Sequence, residues 1–444
     1  MRYKDFLKTK EFQDDLSGFK PIWIPDFLFD FQKELVEWAV RKGRCALFED
    51  CGLGKTPQSL VWCENVVRKT NGKVLIVTPL AVSHQTIREA EKFGIQANRS
   101  QDGLSHNGIT VTNYERLSRF DPKEFAGIVC DESSILKGFD GKTRKLITEF
   151  VQTIHYRLLC TATPAPNDFM ELGTSAQALG NMTHNQMLGM FFTHCGDTTS
   201  QWVLKSHAKK KFWEWVSTWA RAVRRPSDLG FDDGKFDLPN LRYRNHVVES
   251  PGKKGLLVAS PAITLEEQRK ERRETLQSRC EKVAEIISRN SACVCWCHLN
   301  DEGDMLENII PDAVQVAGKD SDEEKERKLI GFVDGSIRVL ITKPRIGGFG
   351  MNWQHCSHVT YFPSHSYEQF YQCIRRCWRF GQKRNVRCDI ISSERESIVV
   401  KNMIRKERQA DEMYNGIVRH MSEFQLGKKQ VDNNQQKVKV PFWL

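Results

Sequence analysis

The sequence predicts an α/β protein made of two doubly wound parallel sheets in tandem. Short apolar strands alternate with helical stretches, and the alternation runs through the chain twice, on either side of a Lys-, Gly- and Pro-containing connection at Ser250 to Pro261. Strands separated by helices form a parallel sheet wrapped on both faces. With 444 residues, 40% hydrophobic and 27% charged, the chain can bury two cores of ordinary domain size.

In the first half, strands are expected at Arg44 to Phe48, Lys73 to Thr78, Ile109 to Asn113, Gly127 to Cys130 and Arg157 to Thr161, with helices between most of them. A mixed stretch follows from Pro164 to about Val247. Beyond the connection, Leu265 to Arg289 reads as one charged helix, followed by strands at Ala292 to Cys297, Ala313 to Val316, Ile337 to Ile341, His358 to Tyr361 and Val386 to Ile391. Gly427 to Val440 is polar and reads as a mobile tail ahead of Pro441-Phe442-Trp443-Leu444. The expected division is therefore 1–250, with a helical Trp/basic segment over about 165–245, then 251–420, then a tail over 421–444.

The formal charge of +10, from 66 Lys and Arg against 56 Asp and Glu, is spread along the chain and suits a polyanion-binding surface. Fourteen cysteines without a CxxC pair, in a long chain without a signal-peptide pattern, point to a reducing cytoplasm rather than to a disulfide framework. Cys293, Cys295 and Cys297 alternate along an expected strand, which favours buried core over a zinc ligand set. No apolar run reaches membrane-spanning length, so no membrane partner is expected.

The chemically suggestive residues fall at strand ends, where ligands bind to doubly wound sheets. Glu49 to Thr56, EDCGLGKT, follows the apolar run Cys45 to Phe48. A strand entering a glycine-bearing turn that ends in Gly-Lys-Thr builds a phosphate cradle: Gly52 and Gly54 shape the turn, backbone N–H groups face the anion, Lys55 reaches terminal phosphates and the Thr56 hydroxyl meets Mg2+. The strict pattern has glycine where this chain has Glu49. Asp131-Glu132 follows the strand Ile128 to Cys130, which suits Asp131 to the metal shell and Glu132 to the attacking water. The next strand ends in Thr161-Ala162-Thr163-Pro164, two hydroxyls that could couple nucleotide state to motion or simply end the strand. Gln372, Arg376 and Arg379 would share one face of a helix, suited to charge on a transferred phosphoryl group or to a solvated basic face.

The ordered set GLGKT at Gly52, TPL at Thr78, TNYE at Thr112, DESS at Asp131, TATP at Thr161, RIGGFGMNW at Arg345 and QCIRRCWRFGQ at Gln372 resembles superfamily 2 helicases, specifically the Swi/Snf-like ATPases of the DEAD/DEAH-box group. The resemblance covers Phe31 to Ile417. It implies two RecA-like lobes with the ATP site in the cleft between them. It implies that Gln32 reads adenine, that Lys55, Thr56, Asp131, Glu132 and Gly350 serve ATP and Mg2+, and that Arg376 and Arg379 are finger residues. Thr78, Pro79, Thr161, Thr163, Gly347, Gly348 and Asn352 would couple the site to nucleic acid.

Several positions depart from the family pattern. Ser133-Ser134 stands where Ala-His or Ala-Gln is usual, Gln85 lies near the usual tryptophan, and Pro344 replaces a small hydroxyl residue. The length resembles compact bacterial or phage members. Trp202, Trp213, Trp215 and Trp219 mix with basic residues over Gln201 to Arg225; they could stack on bases, but tryptophan at helical spacing favours packing onto the lobe. The expected function is an ATP-dependent translocase on double-stranded DNA. A strand-separating DNA or RNA helicase, and an ATP-gated DNA clamp that recruits a nuclease, methylase or replication partner, are the alternatives. The PFWL end is expected to dock a protein partner.

Overall fold

The computed structural model describes residues 16–79, 82–137, 141–194, 202–250, 262, 264–287, 291–347 and 352–437, with the side chains of Lys137, Leu265, Asp322 and 421–437 excepted. Strand β1 (Arg44–Glu49), β2 (Lys73–Thr78), β3 (Ala97–Arg99), β4 (Ile109–Asn113), β5 (Phe125–Asp131) and β6 (Tyr156–Thr161) are followed by an antiparallel pair, β7 (Phe192–His194) and β8 (Trp202–Leu204), and by β9 (Ala220–Val223). The first sheet has the order β3-β4-β2-β5-β6-β1-β9, and every pairing in it is parallel. Its central strands are apolar runs buried on both faces, as a parallel sheet covered by helices requires; in KVLIVT of β2 only Lys73 is not fully buried.

The second sheet contains β10 (Leu241–Val248), β11 (Cys293–Trp296), β12 (Ala313–Val316), β13 (Val339–Thr342), β14 (His358–Tyr361) and β15 (Val386–Ser393), in the order β10-β15-β14-β11-β13-β12 and again parallel throughout. The expected α/β class with two doubly wound parallel sheets is therefore the observed one. Cys293, Cys295 and Cys297 all lie in one apolar core cluster with Val339, Ile341 and Ile391.

The two compact units are 1–233 with 410–444, and 234–409. The division falls ahead of the expected boundary at 250/251 because β10, inside the expected mixed stretch, pairs with β15 along eight positions from Leu241 to Val248. Its Arg242 and Arg244 hide it from an apolar-run search: it is an edge strand whose exposed face carries charge. Strands β3 and β9 were not expected either. β3 is three residues long, and β9 follows directly on the helix Lys209–Trp219 with Arg221 in its middle.

Two helical expectations need correction. Leu265 to Arg289 is not one helix but two, Leu265–Glu274 and Leu276–Ile286, broken at Thr275. The break frees the Arg272 carbonyl, which accepts from Arg279 Nη2 at 2.7 Å, while Nη1 of the same buried guanidinium donates to Glu302 at 2.8 Å. The segment expected as a tail from 421 onward is helical to Lys437, the end of a helix that starts at Ser397. Met413, Tyr414 and Ile417 of that helix join the first unit's core, so 410–420 does not belong with 251–409. The Pro441 to Leu444 end lies outside the described residues.

Candidate functional site

The segment joining β1 to the helix Lys55–Thr70 carries Gly52 at φ +94° and Gly54 at φ +85°. Gly54 is the N-cap of that helix, whose first turn holds no acidic residue, so no carboxylate of that turn opposes an anion at its N–H groups and dipole. A Cβ at Gly54 would lie 2.3 Å from Gln32 Nε2, so any other residue here would meet a left-handed backbone and would have to displace the Gln32 amide.

Lys55 Nζ donates to the carbonyl oxygens of Glu49, at 2.9 Å, and Asp50, at 3.2 Å, which folds the ammonium back over the loop. Burial acts to lower its pKa, but Cys51, Glu132, Glu49 and Asp131 outweigh it and the net shift is upward. Lys55 is therefore a fixed cation that feels three carboxylates at once.

Asp131 ends β5 and Glu132 follows it. In the sheet β5 lies next to β6 and β6 next to β1, with Asp131 paired to Cys160 and Phe48 to Thr161, so the three strand ends lie side by side. Glu132 has φ +48°, a left-handed conformation that costs a non-glycine residue about 1–2 kcal/mol. Strain of that kind, held in place by surrounding structure, marks functional sites. The Glu132 N–H donates to Asp131 Oδ1 at 3.1 Å, and Thr161 Oγ1 makes a long 3.5 Å bond to Glu132 Oε2. The Thr163 N–H donates to Thr161 Oγ1 at 3.1 Å. Burial, reinforced by the Glu132 charge, raises the Asp131 carboxyl above its ordinary value.

Gln32 is also brought to this loop: its Nε2 donates to the Leu53 carbonyl at 2.7 Å and its Oε1 accepts from the Phe29 N–H at 3.0 Å. Thr78, at the end of β2, spends its hydroxyl on the Pro79 carbonyl at 3.0 Å. Ser133 and Ser134 lie in a 3-10 turn after the carboxylates, buried, with hydroxyls that find no hydrogen-bond partner among the described residues. Gln85 Nε2 donates to Glu89 Oε1 at 2.9 Å along its own helix.

In the second unit, Arg376 is buried and its Nη2 donates to Gln372 Oε1 at 2.9 Å. The helix Tyr367–Arg375 ends before Arg376, so Arg379 lies in a bend and not on a helical face with the other two, contrary to the spacing argument. Gly347 packs where a Cβ would meet Thr342 Cγ2 at 2.8 Å, which explains glycine there by close approach. Asn352 Oδ1 is buried without a partner among the described residues, and Gly348 and Gly350 lie outside them.

The Trp/basic stretch is core. Trp213, Trp215 and Trp219 are buried and pack with Phe212, Phe191 and Phe48, while Lys209, Lys210 and Lys211 are exposed. Arg221 is buried over the Trp38 ring at 4.2 Å.

Three residues near the site escaped the sequence reading. Gln58 donates to Glu49 Oε2 at 2.7 Å and to the Leu53 carbonyl at 3.2 Å; its place one turn into the helix that begins at Lys55 was the available signal. Tyr114 donates to the Asp131 carbonyl at 2.8 Å and is the third residue of the TNYE motif. Tyr414 donates to the Ala162 carbonyl, inside TATP, at 2.6 Å, and no local pattern connects residues so distant in sequence.

The SNF2-related domain model matches residues 31–188. The DNA annealing helicase and endonuclease ZRANB3 of Mus musculus is 28% identical over 171 residues, which cover 34% of this chain and 16% of that protein. The SWI/SNF-related matrix-associated actin-dependent regulator of chromatin subfamily A-like protein 1 homolog of Caenorhabditis elegans is 28% identical over 189 residues, 39% of this chain and 27% of that protein. The chain thus spans 16% and 27% of the length of these two curated relatives. Both are animal proteins and do not bear on the expected bacterial or phage type. A solved structure, the Sulfolobus solfataricus SWI2/SNF2 ATPase core in complex with dsDNA, covers 90% of this chain and 98% of its own at 17% identity and a TM-score of 0.42. Residues 31–188, which hold Gln32, the Gly54-Lys55-Thr56 loop, Asp131-Glu132 and Thr161 to Thr163, are thus similar to the SNF2-related domain.

Proposed function

We propose that this chain is a DNA-dependent ATPase that converts ATP hydrolysis into movement along double-stranded DNA. The observation that carries the reading is the geometry of neighbouring strand ends in the first sheet, where Asp131 ends β5 and Thr161 ends β6 beside β1, whose following loop leads through Gly54 into Lys55 at the start of the next helix. These residues fall inside the stretch similar to the SNF2-related domain. A relative named as a DNA annealing helicase supports DNA as the partner.

Lys55 supplies a point charge to the terminal phosphates, and the helix N-terminus at Gly54 supplies N–H donors. Asp131 and Thr56 would hold Mg2+, and the fit rests on two adjacent carboxyl groups, of which Asp131 is pushed up first by burial and then by the Glu132 charge, both of which a cation would relieve. The cation would neutralise charge on the phosphate oxygens. Glu132, fixed through its N–H bond to Asp131 and the Thr161 hydroxyl, orients the attacking water and takes its proton. Arg376 and Arg379 are proposed, from motif resemblance, to stabilise the charge of the transferred phosphoryl group. Thr78, Pro79, Thr163, Gly347, Gly348, Asn352 and Gly350 keep their proposed roles on the same ground, and Gln32 its proposed role toward adenine.

ATP turnover with and without DNA tests the reading. Duplex DNA should stimulate hydrolysis more than single strands or RNA, and stimulation should fall steeply with salt because phosphate contacts release counterions. Lys55→Ala should abolish turnover in a folded protein. Movement should displace the third strand of a triplex while a forked duplex stays annealed. Stimulation mainly by RNA, or fork unwinding without triplex displacement, would favour a strand-separating helicase, and DNA binding gated by ATP with negligible turnover would favour a clamp.

A further inference from the structure

We propose that Glu49 and Gln58 are positioning residues of the phosphate-binding loop, a pair that locks the Leu53–Gly54 peptide so that the Gly54 N–H faces the nucleotide. The proposal rests on the reading that this loop holds nucleotide phosphates, and adds that the acid standing where the strict pattern has glycine has a task of its own.

The Leu53 carbonyl oxygen receives two amide donors, Gln32 Nε2 at 2.7 Å and Gln58 Nε2 at 3.2 Å. In a trans peptide the C=O and the following N–H point in opposite directions, so fixing the Leu53 oxygen fixes the Gly54 N–H on the other side. The two donors come from different helices, Asp30–Lys42 and Lys55–Thr70, which holds the peptide plane from two directions.

Glu49 orients the second donor. Gln58 Nε2 donates to Glu49 Oε2 at 2.7 Å, and both of its partners are acceptors, so the amide must present its nitrogen to them and its oxygen away. That oxygen and Glu49 Oε1 are buried without partners among the described residues, a cost of about 1–3 kcal/mol each that the loop tolerates. Glu49 and Gln58 are both 0% exposed, so no solvent competes for their bond. Burial raises the Glu49 carboxyl to about 7, and in either protonation state Oε2 can accept from Gln58. Glu49 also fixes Lys55 through its backbone, because Lys55 Nζ donates to the Glu49 carbonyl. Gly54 completes the arrangement: only a residue without Cβ lets Gln32 approach this closely.

The test is steady-state ATP hydrolysis by the 444-residue chain, with thermal melting to show that each variant is folded. Gln58→Ala and Glu49→Ala should each raise the KM for ATP about tenfold, the factor that follows from losing one buried hydrogen bond. The kcat should stay within about threefold of wild type, since the pair prepares binding and not chemistry. Glu49→Gln keeps a carbonyl acceptor for Gln58 and should hold KM near the wild-type value. The double variant Glu49→Ala/Gln58→Ala should be about as impaired as either single one, because the two act in one chain of bonds. An unchanged KM in folded Gln58→Ala, a loss confined to kcat, a double variant impaired about a hundredfold as two independent sites would require, or a Glu49→Gln variant as weak as Glu49→Ala would overturn the proposal. Lys55→Ala separates this outcome from the wider reading: if Lys55→Ala hydrolyses ATP like wild type, the phosphate-loop assignment itself is wrong and the proposal falls with it.

Discussion

Gly54→Ala should damage the loop by an amount that the structure sets. Two separate penalties meet at one atom. Gly54 sits at φ +85° and ψ 39°, and a left-handed conformation costs alanine about 1–2 kcal/mol. The added Cβ would also lie 2.3 Å from Gln32 Nε2, so the Gln32 amide must withdraw and its 2.7 Å bond to the Leu53 carbonyl is lost, worth about 1 kcal/mol. The sum is about 2–3 kcal/mol, which for a unit of this size lowers the melting temperature by roughly 4–12 °C. ATP affinity should fall about tenfold or more as the loop relaxes to relieve the strain. Calorimetric melting and titration with ATP measure the two effects. Adding Gln32→Ala removes the clash but not the backbone strain, so Gly54→Ala should cost less stability in that background than in wild type. A Gly54→Ala protein that melts with wild type and binds ATP within about twofold would refute the reasoning, since neither penalty would then exist.

Three further outcomes follow. Glu132→Gln should leave ATP binding in place and stop turnover, because the amide keeps the side chain's shape and hydrogen-bonding capacity but cannot take a proton; equal turnover in the variant would remove Glu132 from the chemistry. Tyr414→Phe deletes the 2.6 Å bond to the Ala162 carbonyl and should destabilise the first unit by about 1–2 kcal/mol, seen as a lower denaturant midpoint, and an unmoved midpoint would show that the bond contributes nothing. Asp389 is buried and accepts from His246, His358 and Arg387 at 2.9, 2.7 and 2.7 Å; despite the opposing effect of burial, these bonds lower its carboxyl from 3.8 to about 2. Because the folded pKa lies below the ordinary one, its stabilisation is complete above about pH 4 and disappears as pH falls toward 2, in total about 2 kcal/mol. Acid unfolding followed in wild type and Asp389→Asn should show this contribution only in wild type, and parallel curves would contradict it.

No helix among the described residues is long and apolar enough to cross a membrane, which agrees with the absence of a long apolar run in the sequence.

What the sequence by itself determined was local. Lys73 to Thr78 and Ile109 to Asn113 are strands at the expected residues because a buried parallel strand must be apolar throughout, a pattern visible without any partner. Asp131 and Thr161 were legible for the same reason, since each ends such a run, and Gly54 and Lys55 were legible as the Gly-Lys-Thr turn that follows one. The sequence could not show where pairing overrides composition. β10 is a strand because β15 offers it eight partners, and Arg242 and Arg244 are tolerated on an edge that faces water. Arg379 leaves the helical face because the helix Tyr367–Arg375 ends first, a boundary that regular i, i+4, i+7 spacing does not encode. Glu49 looked like a defect in a glycine pattern; only the fold supplies Gln58 and the Leu53 carbonyl that give a buried acid its partners. Tyr414 meets Ala162 because the long C-terminal helix packs into the first unit's core, and a contact between residues so distant in sequence is decided by tertiary structure alone.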